Sequence, residues 1–243
     1  MDSVITVPQL SLCIATMDRW DFLKVNLPQY LTNPYISEII ISDENGHDAE
    51  KIRATFNDPK IHISVNDKRL GGFHNKYKAV SLASNPFVCL MDSDNFAPIS
   101  YFEAWAKWLN GKQPDEYTIY SPSRTTPQPN HEGFDYRNFN NITLSKDNFR
   151  YYWHMGSCLY NTGNYIVSKK MYLTTEIDTE YKETDPLAFD VLFKNYFMWK
   201  NNNMKMIMIP DMEYNHIVHP GSYYLQEDKA NTLNRNLPDN LYM

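Results

Sequence analysis

The stretch Phe87–Asn95, with the sequence FVCLMDSDN, joins an apolar run to the most informative polar triplet of the chain. Its first five residues are apolar, which is typical of a strand that is buried on both faces of a sheet. Asp92 and Asp94 follow directly, and residues two apart on an extended chain point to the same side. Two carboxylates that converge at a strand end repel each other unless a cation lies between them or one keeps its proton. The stretch therefore predicts a central strand that ends in a cation-binding turn.

A hard divalent ion would account for this pair of carboxylates. Mg²⁺ and Mn²⁺ prefer oxygen ligands and are often held by one or two carboxylates together with substrate phosphates. We therefore predict a Mn²⁺ or Mg²⁺ site at Asp92 and Asp94. The ion would also supply positive charge that the composition lacks, because 23 basic and 29 acidic side chains leave a net charge of -6. The alternative is that the triplet forms an ordinary turn before the next helix.

Three other apolar runs in the first hundred residues alternate with segments of helical periodicity. They cover Leu10–Ala15, Ile36–Ser42 and Ile61–Val65. This alternation predicts an α/β domain with a mostly parallel central sheet and helices on both faces. In such a sheet, ligands bind beyond the carboxyl ends of the strands. The candidate site therefore consists of the polar segments that follow the four strands: Thr16–Arg19, Asp43–Gly46, Asn66–Gly72 and Asp92–Asn95.

The second half of the chain has a different pattern, with prolines and aromatic residues between about Pro114 and Arg150. This section predicts a strand with long loops, which suits either the stacking of aromatic rings on a sugar or a minor hydrophobic core. After it, the patterns predict a strand over Gly163–Ser168, a helix over Pro186–Lys200 and a last strand over Met204–Ile209. We find no internal repeat, and we interpret the section between Pro114 and Arg150 as part of the same domain.

Composition and motif content exclude several other classes of protein. The three cysteines, Cys13, Cys89 and Cys158, are too few and too widely spaced for a disulfide framework or a zinc site. The acidic charge balance lacks the basic footprint of a nucleic-acid-binding protein. No apolar run approaches the ~20 residues needed to cross a bilayer, and the first thirty residues lack the pattern of a signal peptide. We therefore expect a cytoplasmic protein with no transmembrane segment and no nucleic-acid partner.

The order of these motifs resembles the nucleotide-diphospho-sugar glycosyltransferases of the A-type (GT-A) fold, and family 2 in particular. The resemblance rests on Ala15-Thr16, on the segments IISDENG and NDKRLGGFHNK, and on LMDSDN, which matches the D-x-D signature of the family. It continues with NTGNYI, with the helix that opens near Asp185, and with PDMEY before His216 and His219. It implies a single Rossmann-like GT-A domain that transfers a sugar from a nucleotide-diphosphate donor, expected to be a UDP-sugar, to a glycan or another hydroxyl acceptor.

The resemblance also implies roles for individual residues. The metal would be held by Asp92 and Asp94 with His219 or His216. The nucleotide sugar would be bound by residues at the strand ends: Ala15, Thr16, Arg19, Asp43, Asn66, Arg69, Lys76, Asp92 and Ser93. In an inverting reaction one carboxylate removes the acceptor proton, which would be Asp190, with Asp185 as its rival. A retaining reaction would need no such base.

The same resemblance divides the single domain of residues 1–243 into parts. The nucleotide-sugar-binding half spans about 10–112, the acceptor-binding half about 113–225, and a C-terminal tail covers 226–243.

Two other functions stay open. A nucleotidyltransferase acting on a sugar phosphate would carry a Gly-rich basic loop after the first strand, where Ala15–Trp20 has no glycine. A non-catalytic carbohydrate-binding module with structural aspartates would not bind a nucleotide.

Overall fold

The computed structural model describes residues 8–126, 133–148, 151–152, 163–176, 191 and 194–222. Within these ranges, eight strands form one sheet with helices packed on it. Along the chain the elements are β1 (Leu10–Thr16), α1 (Trp20–Leu31), β2 (Ile36–Asp43), α2 (His47–Thr55), β3 (Ile61–Val65), α3 (Gly71–Leu82), β4 (Phe87–Asp92), α4 (Ile99–Leu109), β5 (Thr118–Thr126), a 3-10 turn (Arg137–Phe139), β6 (Thr143–Leu144), β7 (Ile166–Ser168), α5 (Lys169–Thr174), α6 (Lys194–Asn202) and β8 (Lys205–Asn215). Among the described helices, none combines the length and the apolar character needed to traverse a lipid bilayer.

The sheet has the strand order β3-β2-β1-β4-β7-β5-β8-β6. The first four strands in this order are parallel, β5 and β8 are parallel to each other, and β7 and β6 run antiparallel to their neighbours. The prediction of a mostly parallel sheet is therefore confirmed. Because the strands are parallel, their carboxyl ends meet at one edge: Thr16 pairs with Asp43, and Ala15 pairs with Asp92.

Two apolar clusters cover the two faces of the sheet. On β1, Leu12 and Ile14 belong to the cluster under α1, α2 and α4, whereas Cys13 belongs to the cluster under α3, α5 and α6. The helices therefore lie on both faces, as the alternation predicts. The largest buried side chains include Trp105 in one cluster and Trp199 in the other, both at most 1% exposed. Burial of each such side chain stabilises the fold by on the order of 2–3 kcal/mol.

The last strand is longer than its sequence pattern predicts. Its expected end was Ile209, but β8 continues through Pro210 to Asn215. The pairing with β5 shifts register between Pro122 and Arg124, and the backbone of Asp211 is left-handed at φ 63. A bulge tolerates a proline because the ladder lacks a hydrogen bond there. The bulged strand carries the chain across the sheet edge toward the candidate site.

The strand and the helix that were predicted before β8 differ from the elements that the structure describes. The strand expected over Gly163–Ser168 is confined to β7, Ile166–Ser168, and Asn164 and Tyr165 before it form single hydrogen bonds to β4 residues. The helix expected over Pro186–Lys200 is described from Lys194 to Asn202, and residues 186–190 and 192–193 lie outside the described residues.

Candidate active site

A buried aspartate organises the loop between β1 and α1. Asp48, in the first turn of α2, is 0% exposed. Its Oδ2 accepts a hydrogen bond from the Thr16 hydroxyl at 2.6 Å, and both of its oxygens lie 3.0 Å from the backbone nitrogen of Arg19. The predicted nucleotide-binding residue Thr16 therefore uses its hydroxyl proton inside the protein. The same carboxylate fixes the backbone from which the Arg19 side chain extends.

The Arg19 guanidinium connects this loop to the C-terminal part of the described chain. Its Nη2 donates to the carbonyl oxygen of Gly221 at 2.6 Å, and its Nε lies 3.9 Å from Asp94 Oδ2. The side chain is 20% exposed, so its charge is partly shielded from water. Arg19 therefore lies at the predicted metal and diphosphate position, where it contacts both the D-x-D turn and the segment that ends at Gly221.

The two acidic residues at the end of β2, Asp43 and Glu44, differ in how many of their carboxylate oxygens accept hydrogen bonds within the protein. Asp43 is 0% exposed, and its two oxygens accept hydrogen bonds from the backbone amides of Asn45 at 3.2 Å and Ala49 at 2.8 Å. The neighbouring Glu44 is 8% exposed and uses Oε2 to accept from the Leu70 amide at 2.7 Å. Asp43 thus holds the start of α2, whereas Glu44 faces the loop that leads into α3.

The loop after β3 and helix α3 bring the predicted diphosphate-binding residues to the same edge. The Asn66 side chain donates to Asn75 Oδ1 at 3.0 Å, which ties the loop to the helix. Lys76, one turn into α3, extends to Asp92, with 2.8 Å between its Nζ and Oδ1. Arg69 lies exposed in the loop, while Ser93 is buried in the turn after β4. Lys76 is thereby the basic side chain of this loop and helix that reaches the D-x-D turn.

The Asp92 carboxylate is surrounded by donors. Besides Lys76 at Oδ1, its Oδ2 accepts from Asn164 Nδ2 at 3.0 Å and from Asn95 Nδ2 at 3.3 Å. Burial alone would raise the pKa of Asp92, but the Lys76 ammonium and the hydrogen bonds from Lys76 and Asn164 outweigh it, and the charge of His216 acts in the same direction. The pKa therefore lies below its usual value, and Asp92 is held as a carboxylate.

Asp94 has the opposite electrostatic character. Burial and the nearby charge of Asp92 raise its pKa, and the hydrogen bond with His219 and the charge of Arg19 offset only part of this rise. Its Oδ2 lies 3.1 Å from His219 Nε2. A carboxylate destabilised by burial and by a second carboxylate gains most from an added cation. Within the pair, Asp94 is therefore the residue best suited to bind a metal ion.

The segment after β8 is attached directly to the D-x-D turn. Phe96 and Asn215 exchange two backbone hydrogen bonds, at 3.1 and 2.8 Å. The next link is the Ile217 amide, which donates to Asn95 Oδ1 at 2.9 Å. These contacts set the course of the chain over the sheet edge and bring His219 to Asp94.

A turn at the end of this segment determines the role of the His219 ring. The Gly221 amide donates to His219 Nδ1 at 3.1 Å, so Nδ1 is an acceptor and Nε2 carries the proton. Nε2 then donates to Asp94. A side chain at position 221 would place its Cβ 3.1 Å from the His219 ring, so glycine permits this close turn. In this arrangement His219 is a hydrogen-bond donor at the site.

Three other predicted site residues are His216, Asp185 and Asp190. The His216 ring packs beside Phe134 and Tyr214, with centroid distances of 5.6 and 6.2 Å. Asp190 and Asp185, predicted as the catalytic base and its rival, lie outside the described residues. Asp48 was not singled out by the sequence, and no individual role was predicted for Asn95, within the segment Asp92–Asn95, or for Asn164, within NTGNYI. An aspartate in the first turn of a helix and isolated asparagines carry no signal of such contacts, although Asn95 directly follows the D-x-D triplet.

The side chains at this edge of the sheet are compatible with binding of the predicted Mn²⁺ or Mg²⁺. Among the described residues, no group of three or more His, Cys, Asp or Glu side chains could hold an ion by itself. Asp94 is the available carboxylate, because both oxygens of Asp92 accept hydrogen bonds within the protein. Mg²⁺ is commonly held by one or two carboxylates while substrate phosphates and water complete its shell. The residues therefore fit an ion that binds together with a diphosphate.

Comparison with known proteins decides the family. A model of glycosyl transferase family 2 matches residues 11–167, which include the first four strands and the D-x-D turn. The chain belongs to glycosyl transferase family 2. No curated protein matches this family 2 chain.

Solved structures show that this family 2 chain has the GT-A fold. S. aureus TarS 1-349 in complex with UDP-GlcNAc aligns with a TM-score of 0.65 and 14% identity, over 90% of this chain and 61% of that chain. TarS 1-349 in complex with UDP gives 0.58 and 14%, over 89% and 62%. A further TarS structure gives 0.60 and 15%, over 89% and 38%, so the family 2 chain spans well under two thirds of that structure.

Proposed function

We propose that this family 2 protein transfers a sugar from a UDP-sugar to a hydroxyl group of an acceptor. The observation that carries the proposal is the arrangement at the sheet edge, where Lys76, Arg19 and His219 converge on Asp92 and Asp94. Cationic groups and a carboxylate pair at the carboxyl ends of parallel strands suit a diphosphate with a divalent ion. The similarity in fold to TarS structures that contain UDP or UDP-GlcNAc supports the same donor class.

The diphosphate would lie between Arg19 and Lys76, which approach it from the two sides of the sheet edge. Each of these side chains is at most 20% exposed, so its charge acts at reduced dielectric. The proton on His219 Nε2 is available to a phosphate oxygen once Asp94 binds an ion. Mn²⁺ or Mg²⁺, when held by Asp94, supplies positive charge that stabilises the departing diphosphate.

The nucleoside would contact the ends of β1 and β2. We propose Glu44 as its hydrogen-bond acceptor beside the predicted Asp43, because both Asp43 oxygens accept backbone amides whereas the bonds of Glu44 involve Oε2. Uracil and ribose both present donors that a carboxylate oxygen accepts. The polar loop from Thr16 to Arg19, held by Asp48, would form the opposite wall.

In the proposed reaction an acceptor oxygen attacks the anomeric carbon of the donor sugar. A carbon–oxygen bond forms there, and the bond from that carbon to the β-phosphate oxygen breaks. The electron pair of the broken bond leaves with the nucleoside diphosphate, and the acceptor proton passes to a carboxylate. We propose Asp190 for this base, with Asp185 as the alternative, and inversion of the anomeric configuration follows from a single displacement.

Release of UDP from a panel of UDP-sugars tests this function. We expect release from at least one donor in the presence of Mn²⁺ or Mg²⁺ and loss of that release in EDTA. Asp190→Asn and Asp185→Asn form a matched pair that identifies the base, because only the true base variant should lose turnover while keeping UDP binding. Absence of UDP binding by the wild-type protein, or pyrophosphate formation from a nucleoside triphosphate and a sugar phosphate, would contradict the proposal.

A further inference from the structure

We propose that Asn164 is a positioning residue that fixes the Asp92 carboxylate for donor binding; this inference rests on the proposed function. The Asn164 side chain contacts Asp92 twice. Its Oδ1 accepts from the Asp92 backbone amide at 2.7 Å, and its Nδ2 donates to Asp92 Oδ2 at 3.0 Å. One amide group therefore binds both the main chain and the side chain of the first aspartate of the D-x-D triplet.

The sheet topology explains why an asparagine side chain occupies this place. β7 pairs antiparallel with β4, and the ladder extends from Ile166 to a bond between the Leu90 amide and the Tyr165 carbonyl at 2.9 Å. At the next step the Asn164 side chain replaces the backbone as partner of β4. An amide suits this position because it offers an acceptor to the Asp92 amide and a donor to the Asp92 carboxylate.

Asn164 is itself firmly held. It is 3% exposed, and its backbone carbonyl accepts a hydrogen bond from the hydroxyl of the fully buried Tyr101 at 3.1 Å. A buried residue whose backbone is anchored in this way loses little further entropy when its side chain orients a neighbour. Its orientation is therefore set by the protein interior and not by the ligand.

Asp92 depends on this contact for its orientation. Its side chain is 34% exposed at the edge of the site, and the other donor at Oδ2 is Asn95 at the longer distance of 3.3 Å. Without Asn164 the carboxylate could rotate, and the Lys76 ammonium, 2.8 Å from Oδ1, would follow it. Both groups face the proposed diphosphate position, so the loss should weaken donor binding rather than only the fold.

The test compares variants at Asn164 with a control on the same contact chain. Asn164→Ala removes both bonds to Asp92, and Asn164→Ser keeps a hydroxyl that can form one of them. Tyr101→Phe removes the bond to the Asn164 carbonyl without touching Asp92. Affinity for UDP with Mg²⁺ is measured by calorimetry at a temperature where circular dichroism shows every variant folded, and KM and kcat are measured for UDP release.

We expect Asn164→Ala to weaken UDP binding about 10- to 100-fold, the effect typical of groups that orient metal-site carboxylates. Asn164→Ser should be intermediate, Tyr101→Phe should have a smaller effect than either because both bonds from Asn164 to Asp92 remain, and the change should appear mainly in KM. UDP affinity within twofold of wild type in folded Asn164→Ala, or in Asn164→Ser if the alanine variant does not fold, would overturn the inference. A wild-type protein that binds no nucleotide would instead overturn the proposed function on which the inference depends.

Discussion

His219 Nε2 lies 3.1 Å from Asp94 Oδ2, although 125 positions separate the two residues in the chain. The contact closes the site, because the turn after β4 supplies Asp94 and the segment after β8 supplies His219. It also distinguishes the two aspartates of the triplet. Asp92 is held by Lys76 and two asparagines, whereas Asp94 faces a histidine and an arginine and is the more costly of the two to keep ionised.

Asp94→Asn should abolish most of the activity without unfolding the protein. The amide keeps the size of the side chain but removes the charge that would hold the ion. We expect UDP release to fall by about 100-fold or more, the scale seen when one group that stabilises a leaving anion is lost. Asp147→Asn, at an exposed turn away from the site, serves as the control. Wild-type rates in Asp94→Asn would remove this residue from the metal site.

Arg19→Lys should weaken UDP binding even though the positive charge is kept. Lysine has a single point charge and cannot donate to Gly221 while also approaching Asp94, as the guanidinium does at 2.6 and 3.9 Å. We expect affinity to fall about tenfold, which corresponds to about 1.4 kcal/mol. Arg53→Lys, exposed on α2, should leave UDP affinity unchanged. Equal losses in the two variants would show that Arg19 has no specific role.

Lys194→Met should change how stability depends on pH. Lys194 is 0% exposed among Phe73, Tyr77 and Tyr172, and burial lowers its pKa to about 7. In the unfolded chain the pKa of Lys194 is near 10.5. Between about pH 7 and 10.5 the unfolded chain therefore binds a proton that the folded protein has released, so wild-type stability rises with pH over this range.

The methionine variant should lack this contribution. Chemical denaturation at several pH values between about 7 and 10 should give a shallower slope for Lys194→Met, by up to about 1.4 kcal/mol per pH unit. Lys200→Met, exposed on the same helix, should keep the wild-type slope. Parallel profiles for the wild type and Lys194→Met would contradict the low pKa.

Glu38→Gln should destabilise the protein at the sheet edge opposite to the site. The Glu38 carboxylate accepts hydrogen bonds from the Ser11 hydroxyl, from the Ser84 amide at 2.6 Å and from the Ser84 hydroxyl at 2.8 Å. Burial alone would raise its pKa, but these bonds outweigh it and lower the pKa from 4.5. We expect the free energy of unfolding to fall by about 1–3 kcal/mol at neutral pH.

The pH dependence gives the sign of this effect. A carboxylate with a depressed pKa stabilises the folded state above its unfolded pKa, and that stabilisation is lost as pH falls through the folded value. The difference between the wild type and Glu38→Gln in urea unfolding should therefore shrink as the pH falls below the unfolded pKa of 4.5. A difference that stayed constant down to acidic pH would mean that the charge of Glu38 does not matter.

The sequence predicts the parallel half of the sheet well, because each of its strands is a short apolar run followed by polar residues. The same reasoning locates Arg19, Lys76, Asp92 and Asp94 at one edge, since parallel strands end together. It fails where the chain is bent by tertiary pairing. β8 continues past Pro210 because a bulge accommodates the proline, which an interpretation of local pattern cannot anticipate.

The contacts of the buried polar residues could not be predicted from local sequence patterns either. Asp43 ends β2 and accepts the amide of Ala49 in α2, whereas Asp48 lies in the first turn of α2 and fixes the loop after β1. Asn164 has no neighbour in sequence that indicates Asp92, since 72 positions separate them. Such contacts depend on strand order and register, which are set by the packing of the whole sheet.

The central claim is that Asp94 holds a divalent ion that binds with a nucleoside diphosphate. A crystal grown with UDP and Mn²⁺ tests it most directly, because manganese is identified by its anomalous scattering. We predict one anomalous peak beside the Asp94 carboxylate, in contact with the diphosphate, with His219 and Arg19 around it. UDP bound at the sheet edge with no manganese at Asp94, or manganese bound at another place, would contradict the claim.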